Sequence, residues 1–253
     1  MVDPAETQQV VDGIIAACRV KVKRYVVNEV FYSPQGEGAR AGSMNVFVRM
    51  AGCNLQCVKA EPGRMLTGRD IDAGFNCDTD FRDGEKLEAG EVIDRVRQAD
   101  ESASGCGWVI VTGGEPTLQL DDALVSAFHE AGYKVAVETN GTIDPEAWPS
   151  KLVDWISCSP KRGSAVKLKA ASEVRVVVDD GAEPDAHGIE ATHYFVSPAF
   201  KAPKVSGMWG DWRSRGYDSP RPQEPALLWA IEWCKRNPQW RLSVQQHKAW
   251  GVR

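Results

Sequence analysis

Short runs of β-branched and aromatic residues alternate along this chain with segments whose apolar positions recur every three or four residues. RYVVNEVF (24–31), NVFVRM (45–50), WVIVTG (108–113), KVAVE (134–138), VDWIS (153–157), EVRVVV (173–178), HYFV (193–196) and RLSV (241–244) have the composition of strands. Between several of them, AGEVIDRVRQA (89–99), LDDALVSAFHEAG (120–132) and EPALLWAIEWCKR (224–236) carry helical periodicity. Strands alternating with helices of this length predict βα units and a largely parallel sheet. Two aperiodic stretches, 58–74 and 199–225, read as loops inserted on that frame. Val10, Val11, Ile14, Ile15 and Cys18 recur at helical spacing, so residues 1–22 read as an N-terminal extension on a body spanning 23–253. Trp229 and Trp233, four apart on one helical segment, are expected in the core.

Composition narrows the functional classes. The 253 residues are 43% hydrophobic and 26% charged, ordinary for a globular chain with a sizeable core, and no apolar run approaches a membrane span. The net charge of −5 argues against a nucleic-acid partner. Seven cysteines are too sparse for a secreted disulfide scaffold, and MVDPAETQQVVDG lacks the basic and apolar regions of a signal peptide, so the expected location is cytoplasmic. Cys18, Cys106, Cys158 and Cys234 are expected to be small buried hydrophobes.

The other three cysteines carry candidate chemistry. Cys53, Cys57 and Cys77 form C-x3-C-x19-C, a set that suits three irons of a four-iron cluster, or zinc if a histidine completes it. VTGGEPTLQ (111–119), VETNGT (137–142) and SPK (159–161) sit at the carboxyl ends of successive predicted strands. Polar motifs at the same end of parallel strands converge on one mouth, where α/β folds bind ligands.

Taken in order, FYSPQGEG (31–38), FVRMAGCNLQC (47–57), CDTDF (77–81), TGGEP (112–116), ETNGT (138–142), SPK (159–161) and QQHK (245–248) resemble the 7-carboxy-7-deazaguanine synthases, radical S-adenosylmethionine (SAM) enzymes of queuosine and deazapurine biosynthesis. The resemblance runs from about residue 24 to the C-terminus. It implies an α/β fold, a partial or modified TIM-like barrel. It further implies a 4Fe–4S cluster on Cys53, Cys57 and Cys77, with SAM contacts from Asn76, Asp78, Gly114, Ser159, Pro160, Lys161 and Ser197. The 19-residue spacing departs from the family's usual C-x3-C-x2-C; such a bulge is tolerable because loop-closure entropy grows slowly with length.

The implied substrate is 6-carboxy-5,6,7,8-tetrahydropterin, bound by Pro34, Gln35, Gly36, Glu37, Arg49, Thr112, Glu173, His247 and the terminal carboxylate of Arg253. Arg49 suits the substrate carboxylate, since a guanidinium fork pairs with it bidentately. Thr79 is the implied ligand of a Mg²⁺ ion. The implied reaction is a radical ring contraction with loss of ammonia, SAM being regenerated. A flavodoxin-like or other electron donor and a homodimer complete the expectation. Two alternatives stand beside it: a radical SAM enzyme activating or modifying another substrate, and a non-catalytic zinc-binding module using the same thiols.

Overall fold

The computed structural model describes residues 22–55, 81, 83–178, 181, 183–199 and 224–252. They form one nine-stranded sheet from β1 (Tyr25–Pro34), β2 (Met44–Met50), β3 (Glu85–Leu87), β4 (Trp108–Gly113), β5 (Lys134–Thr139), β6 (Trp155–Cys158), β7 (Ala170–Val178), β8 (Glu190–Pro198) and β9 (Trp240–Leu242). The spatial order is β3-β1-β2-β4-β5-β6-β7-β8-β9. From β2 to β9 every pairing is parallel, whereas β1 runs antiparallel to both β2 and β3. Successive parallel strands laid down in one direction are the sequence of a barrel. Here the sheet ends in two edges and stays open, which makes the expected barrel a partial one.

Helices α1 (Ala89–Ala99), α2 (Asp122–Glu130) and α3 (Glu224–Arg236) lie on one face of the sheet, and a short α4 (Gln246–Trp250) ends the described chain. α1 begins with a reciprocal capping box between Glu88 and Glu91, and α2 with Asp121 accepting from the Leu124 amide. Their apolar stripes, Val92, Ile93 and Val96 on α1 and Leu124, Val125 and Phe128 on α2, meet Val46, Val48, Val109, Val111, Val135 and Val137 from the strands. Alternation then sends the intervening strand residues to the opposite face. Low on that face Phe31, Phe47, Ile110 and Ala136 form a second apolar cluster.

The parity of β1 changes midway. Tyr25 and Val27 face the helices, yet Glu29, Phe31 and Ser33 pair with Arg49, Phe47 and Asn45 on the opposite face. Residues two apart share a face in a regular strand, so one extra residue must intervene. The register shift between Val27 and Glu29 supplies it, a β-bulge at Asn28.

Most sequence-predicted elements recur, and β4, α1 and α3 keep the predicted limits. β3 and α4 were not anticipated; three and five residues are too few to carry a period. Trp229 and Trp233 are half-buried rather than central, stacked on each other with ring centroids 5.4 Å apart. Of the cysteines expected to be buried, Cys158 is, Cys106 and Cys234 are half-buried, and Cys18 lies outside the described residues. The N-terminal helix, the 58–74 insertion and nearly all of 199–225 also lie outside them.

Candidate active site

On the helix-free face, one register row crosses the sheet as Glu29, Arg49 and Thr112, then Glu138, Ser157, Glu173 and His193. Thr112 bridges the two halves by donating its hydroxyl to Glu138 Oε2 at 2.8 Å. The row is polar because these strands present every second residue to the face turned away from α1, α2 and α3.

Arg175, one pleat further along β7, is the hub. Its side chain is 5% exposed, and it contacts Glu138 at 2.8 Å, Glu37 at 3.3 Å and Glu173 at 3.4 Å. Gln35 donates to Glu138 Oε1 at 3.1 Å. Burial alone would raise the Glu138 carboxyl, but the Arg175 charge and the hydrogen bonds from Arg175, Thr112 and Gln35 outweigh it and hold the group at about 2. Glu173 accepts from Ser157 Oγ at 2.7 Å and from the Ala39 amide at 2.8 Å, which pins the Gln35–Arg40 turn to β7. Further down, Arg40 stacks over Trp108 at 3.6 Å.

The turn after β1 is closed by the far end of the chain. Gly38 donates its amide to Ser243 Oγ at 2.9 Å, and the Gln246 amide donates to Gly36 O at 3.0 Å. His247 packs so closely on Gly36 that a Cβ there would overlap its Nδ1, so the turn admits no side chain at that position. Gln35, Gly36, Glu37, Thr112, Glu173 and His247 are thereby gathered in one place, with Pro34 ending β1 beside them.

A second group of motifs meets at the carboxyl ends of β2, β4, β5 and β6. The Gly114 amide donates to Met50 O at 3.1 Å and the Glu115 amide to Gly52 O at 2.9 Å. A Cβ on Gly114 would overlap Gly52 O and crowd Cys53. Glu115, fully buried, accepts from the Thr117 and Thr139 hydroxyls and the Asn140 amide at 2.6–2.7 Å. Asn54 ties the cysteine loop to the next motif through Thr142 Oγ1 at 2.8 Å and Asn140 at 3.2 Å. Ser159 donates its amide to Thr139 O at 2.8 Å, and Lys161 Nζ donates to Ser159 Oγ at 2.9 Å, with Pro160 between them.

The Gly52 amide also donates to Phe81 O at 2.8 Å, bringing together residues on either side of the segment that carries Cys57 and Cys77. Cys57, Asn76, Cys77, Asp78, Thr79 and Arg253 themselves lie outside the described residues. Among the described residues no three His, Cys, Asp or Glu side chains are grouped to hold a metal. Two features at this end nonetheless fit a bound polar cofactor. The Gly114 turn packs directly on the loop that carries Cys53, and Ser197 Oγ on β8 is buried without a hydrogen-bond partner among the described residues.

Sequence reasoning missed Glu138 and Arg175. Glu138 opens ETNGT, where the local pattern marks only a strand end, and Arg175 sits within EVRVVV, where it marks only a strand. For Arg175 the signal is its place two residues after Glu173, which puts both on the face of the strand opposite Val174, Val176 and Val178; no such pairing marks Glu138.

An open, mostly parallel α/β sheet with helices on one face and charged groups converging at the strand ends defines an incomplete α/β barrel with a ligand-binding mouth. No family model matches the chain. It is 40% identical over 235 residues to the 7-carboxy-7-deazaguanine synthase of Bradyrhizobium diazoefficiens, covering 90% of this chain and 99% of that one. It is 36% identical to those of Burkholderia multivorans, covering 88% of this chain and 97% of that one, and Bordetella pertussis, covering 90% and 99%. The crystal structure of QueE from Escherichia coli superposes with a TM-score of 0.57 at 19% identity, covering 87% of this chain and 93% of that one, and has the same fold. The chain belongs to the 7-carboxy-7-deazaguanine synthase family.

Proposed function

We propose that this protein is a radical SAM lyase that converts 6-carboxy-5,6,7,8-tetrahydropterin into 7-carboxy-7-deazaguanine with loss of ammonia. The observation that carries this reading is the cluster of Gln35, Thr112, Glu138 and Arg175 beside the Gly36–His247 contact. It fits a flat molecule with several N–H donors. Glu37 and Glu138, both held against Arg175, accept from the aminopyrimidinone edge, and Arg49 takes the substrate carboxylate. Glu173, engaged with Ser157 and Ala39, holds the turn that carries Gln35 and Glu37 in place as well as standing among the substrate contacts. His247, packed on Gly36, closes the other side.

Gly114, Ser159, Pro160, Lys161 and Ser197, with Asn76 and Asp78, hold SAM, while Cys53, Cys57 and Cys77 hold the 4Fe–4S cluster. When bound, these groups supply radical hydrogen abstraction and return. The Gly114 turn serves by packing directly on Gly52 and Cys53, which sets the cysteine loop at the strand ends, and the apolar floor of Phe31, Phe47 and Ile110 keeps water away from the pterin. Thr79 offers a hydroxyl oxygen to Mg²⁺. Among the described residues no helix is long and apolar enough to cross a membrane; we place the enzyme in the cytoplasm, as a homodimer reduced by a flavodoxin-like donor.

The test is anaerobic. The protein, reconstituted with iron and sulfide and reduced, is given SAM, Mg²⁺ and 6-carboxytetrahydropterin. Formation of 7-carboxy-7-deazaguanine without matching consumption of SAM is the expected result. SAM cleavage with untouched pterin would keep the radical chemistry and overturn the substrate, and a colourless zinc-loaded protein would overturn both.

A further inference from the structure

Arg49 is fixed from two sides. Its Nε donates to Glu29 Oε1 at 2.7 Å, and its guanidinium carbon lies 5.5 Å from the centre of the Phe31 ring. Among the described residues neither terminal nitrogen has a hydrogen-bond partner. The Nη1–Nη2 edge, the one that pairs bidentately with a carboxylate, is therefore unused. Both side chains of the pair are about a quarter exposed or less, 21% for Arg49 and 28% for Glu29, so solvent screening of the contact is incomplete.

Glu29 reaches this position only because of the bulge at Asn28. In an unbulged strand it would share the face of Val27, which packs in the core against the helices. The bulge keeps Val27 in that core and turns Glu29 toward Arg49. The Asn28 side chain, donating to Asp83 O at 2.7 Å, anchors the extra residue.

The geometry points to Glu29 as a positioning residue that orients the Arg49 fork and so sets the preference for a carboxylated pterin. This rests on the proposed role of Arg49. Glu29 itself touches no substrate atom in this assignment. It has two opposed effects: it partly neutralises Arg49, which weakens attraction for any anion, and it fixes the fork, which favours a planar carboxylate at one site. We infer that orientation dominates, because a free arginine side chain must lose several rotors on binding whereas a tethered one has already lost them.

The experiment measures binding of two stable, fluorescent pterins to the SAM-loaded holoenzyme: 6-carboxypterin, and pterin itself without the carboxylate. The ratio of their dissociation constants is the carboxylate preference. Glu29→Ala is expected to reduce that ratio about tenfold with pterin affinity unchanged, and Glu29→Gln, which keeps an oxygen acceptor for Nε, to recover most of it. Arg49→Ala should abolish the preference, and thermal melting of each variant reports its folding. If Arg49→Ala abolishes the preference while both Glu29 variants keep the wild-type ratio, the positioning role is overturned and the substrate reading survives. If Arg49→Ala leaves the ratio unchanged, the role of Arg49 itself fails.

Discussion

Arg175 and its three carboxylates show what one buried cation accomplishes. Removing a buried partner leaves charges without compensation, which costs roughly 3–5 kcal/mol, so Arg175→Met should be strongly destabilised in urea unfolding. The pH dependence has a definite sign. Glu138 is lowered from 4.5 to about 2, so its contribution is fully present above the unfolded value and drains away as pH falls from 4.5 towards 2. That contribution is on the order of 3 kcal/mol. Wild-type protein should therefore lose more unfolding free energy between pH 6 and pH 3 than Glu138→Gln does; equal losses would mean that the carboxyl titrates normally. These two residues are also the hardest to recognise from sequence, because their importance lies in partners contributed by three different strands and a turn.

At the scale of elements, legibility followed the strength of the local pattern. β4 and α1 have a single apolar period bounded by clear end signals, and their limits could be read directly. The bulge at Asn28 could not, since Tyr25, Val27, Glu29, Phe31 and Ser33 continue one odd-numbered alternation and nothing local marks where it changes face. The strand-end motifs could be grouped, but not the backbone contacts between them. Gly114→Ala tests one of those contacts: the added methyl overlaps Gly52 O and must displace the Cys53 loop. SAM affinity, measured by equilibrium dialysis on the reconstituted protein, should fall at least about tenfold, the order expected when a binding group moves by a fraction of an ångström to an ångström. Phe128→Ala is the complementary change. Phe128 is fully buried on α2 on the opposite side of the sheet, so unfolding free energy should fall by about 3–5 kcal/mol while SAM affinity of the folded fraction is retained.

For the whole molecule, the arrangement of parallel strands is legible in the alternation of strands and helices, and the partial barrel that the family resemblance implies is an open sheet. What the sequence did not reveal is how two segments about two hundred residues apart meet. Residues 35–38, early in the chain, are held by Ser243, Gln246 and His247 near its end. A chain ending at residue 245 loses α4 but no strand. Its far-UV circular dichroism should stay close to that of the full chain while 6-carboxypterin binding is lost; retained binding would show that the turn holds its shape unaided.

That closure has a temporal consequence. During synthesis β4 can add to β2, and each parallel strand from β5 onward to the edge formed by its predecessor, so most of the sheet can grow in the order in which it leaves the ribosome. The Gly38–Ser243 bond joins groups 205 residues apart and must wait until Ser243 has left the ribosome. A nascent chain can thus hold most of its hydrophobic interior while the Gln35–Gly38 turn is still unlatched, so the sheet takes shape before the turn it will carry is fixed.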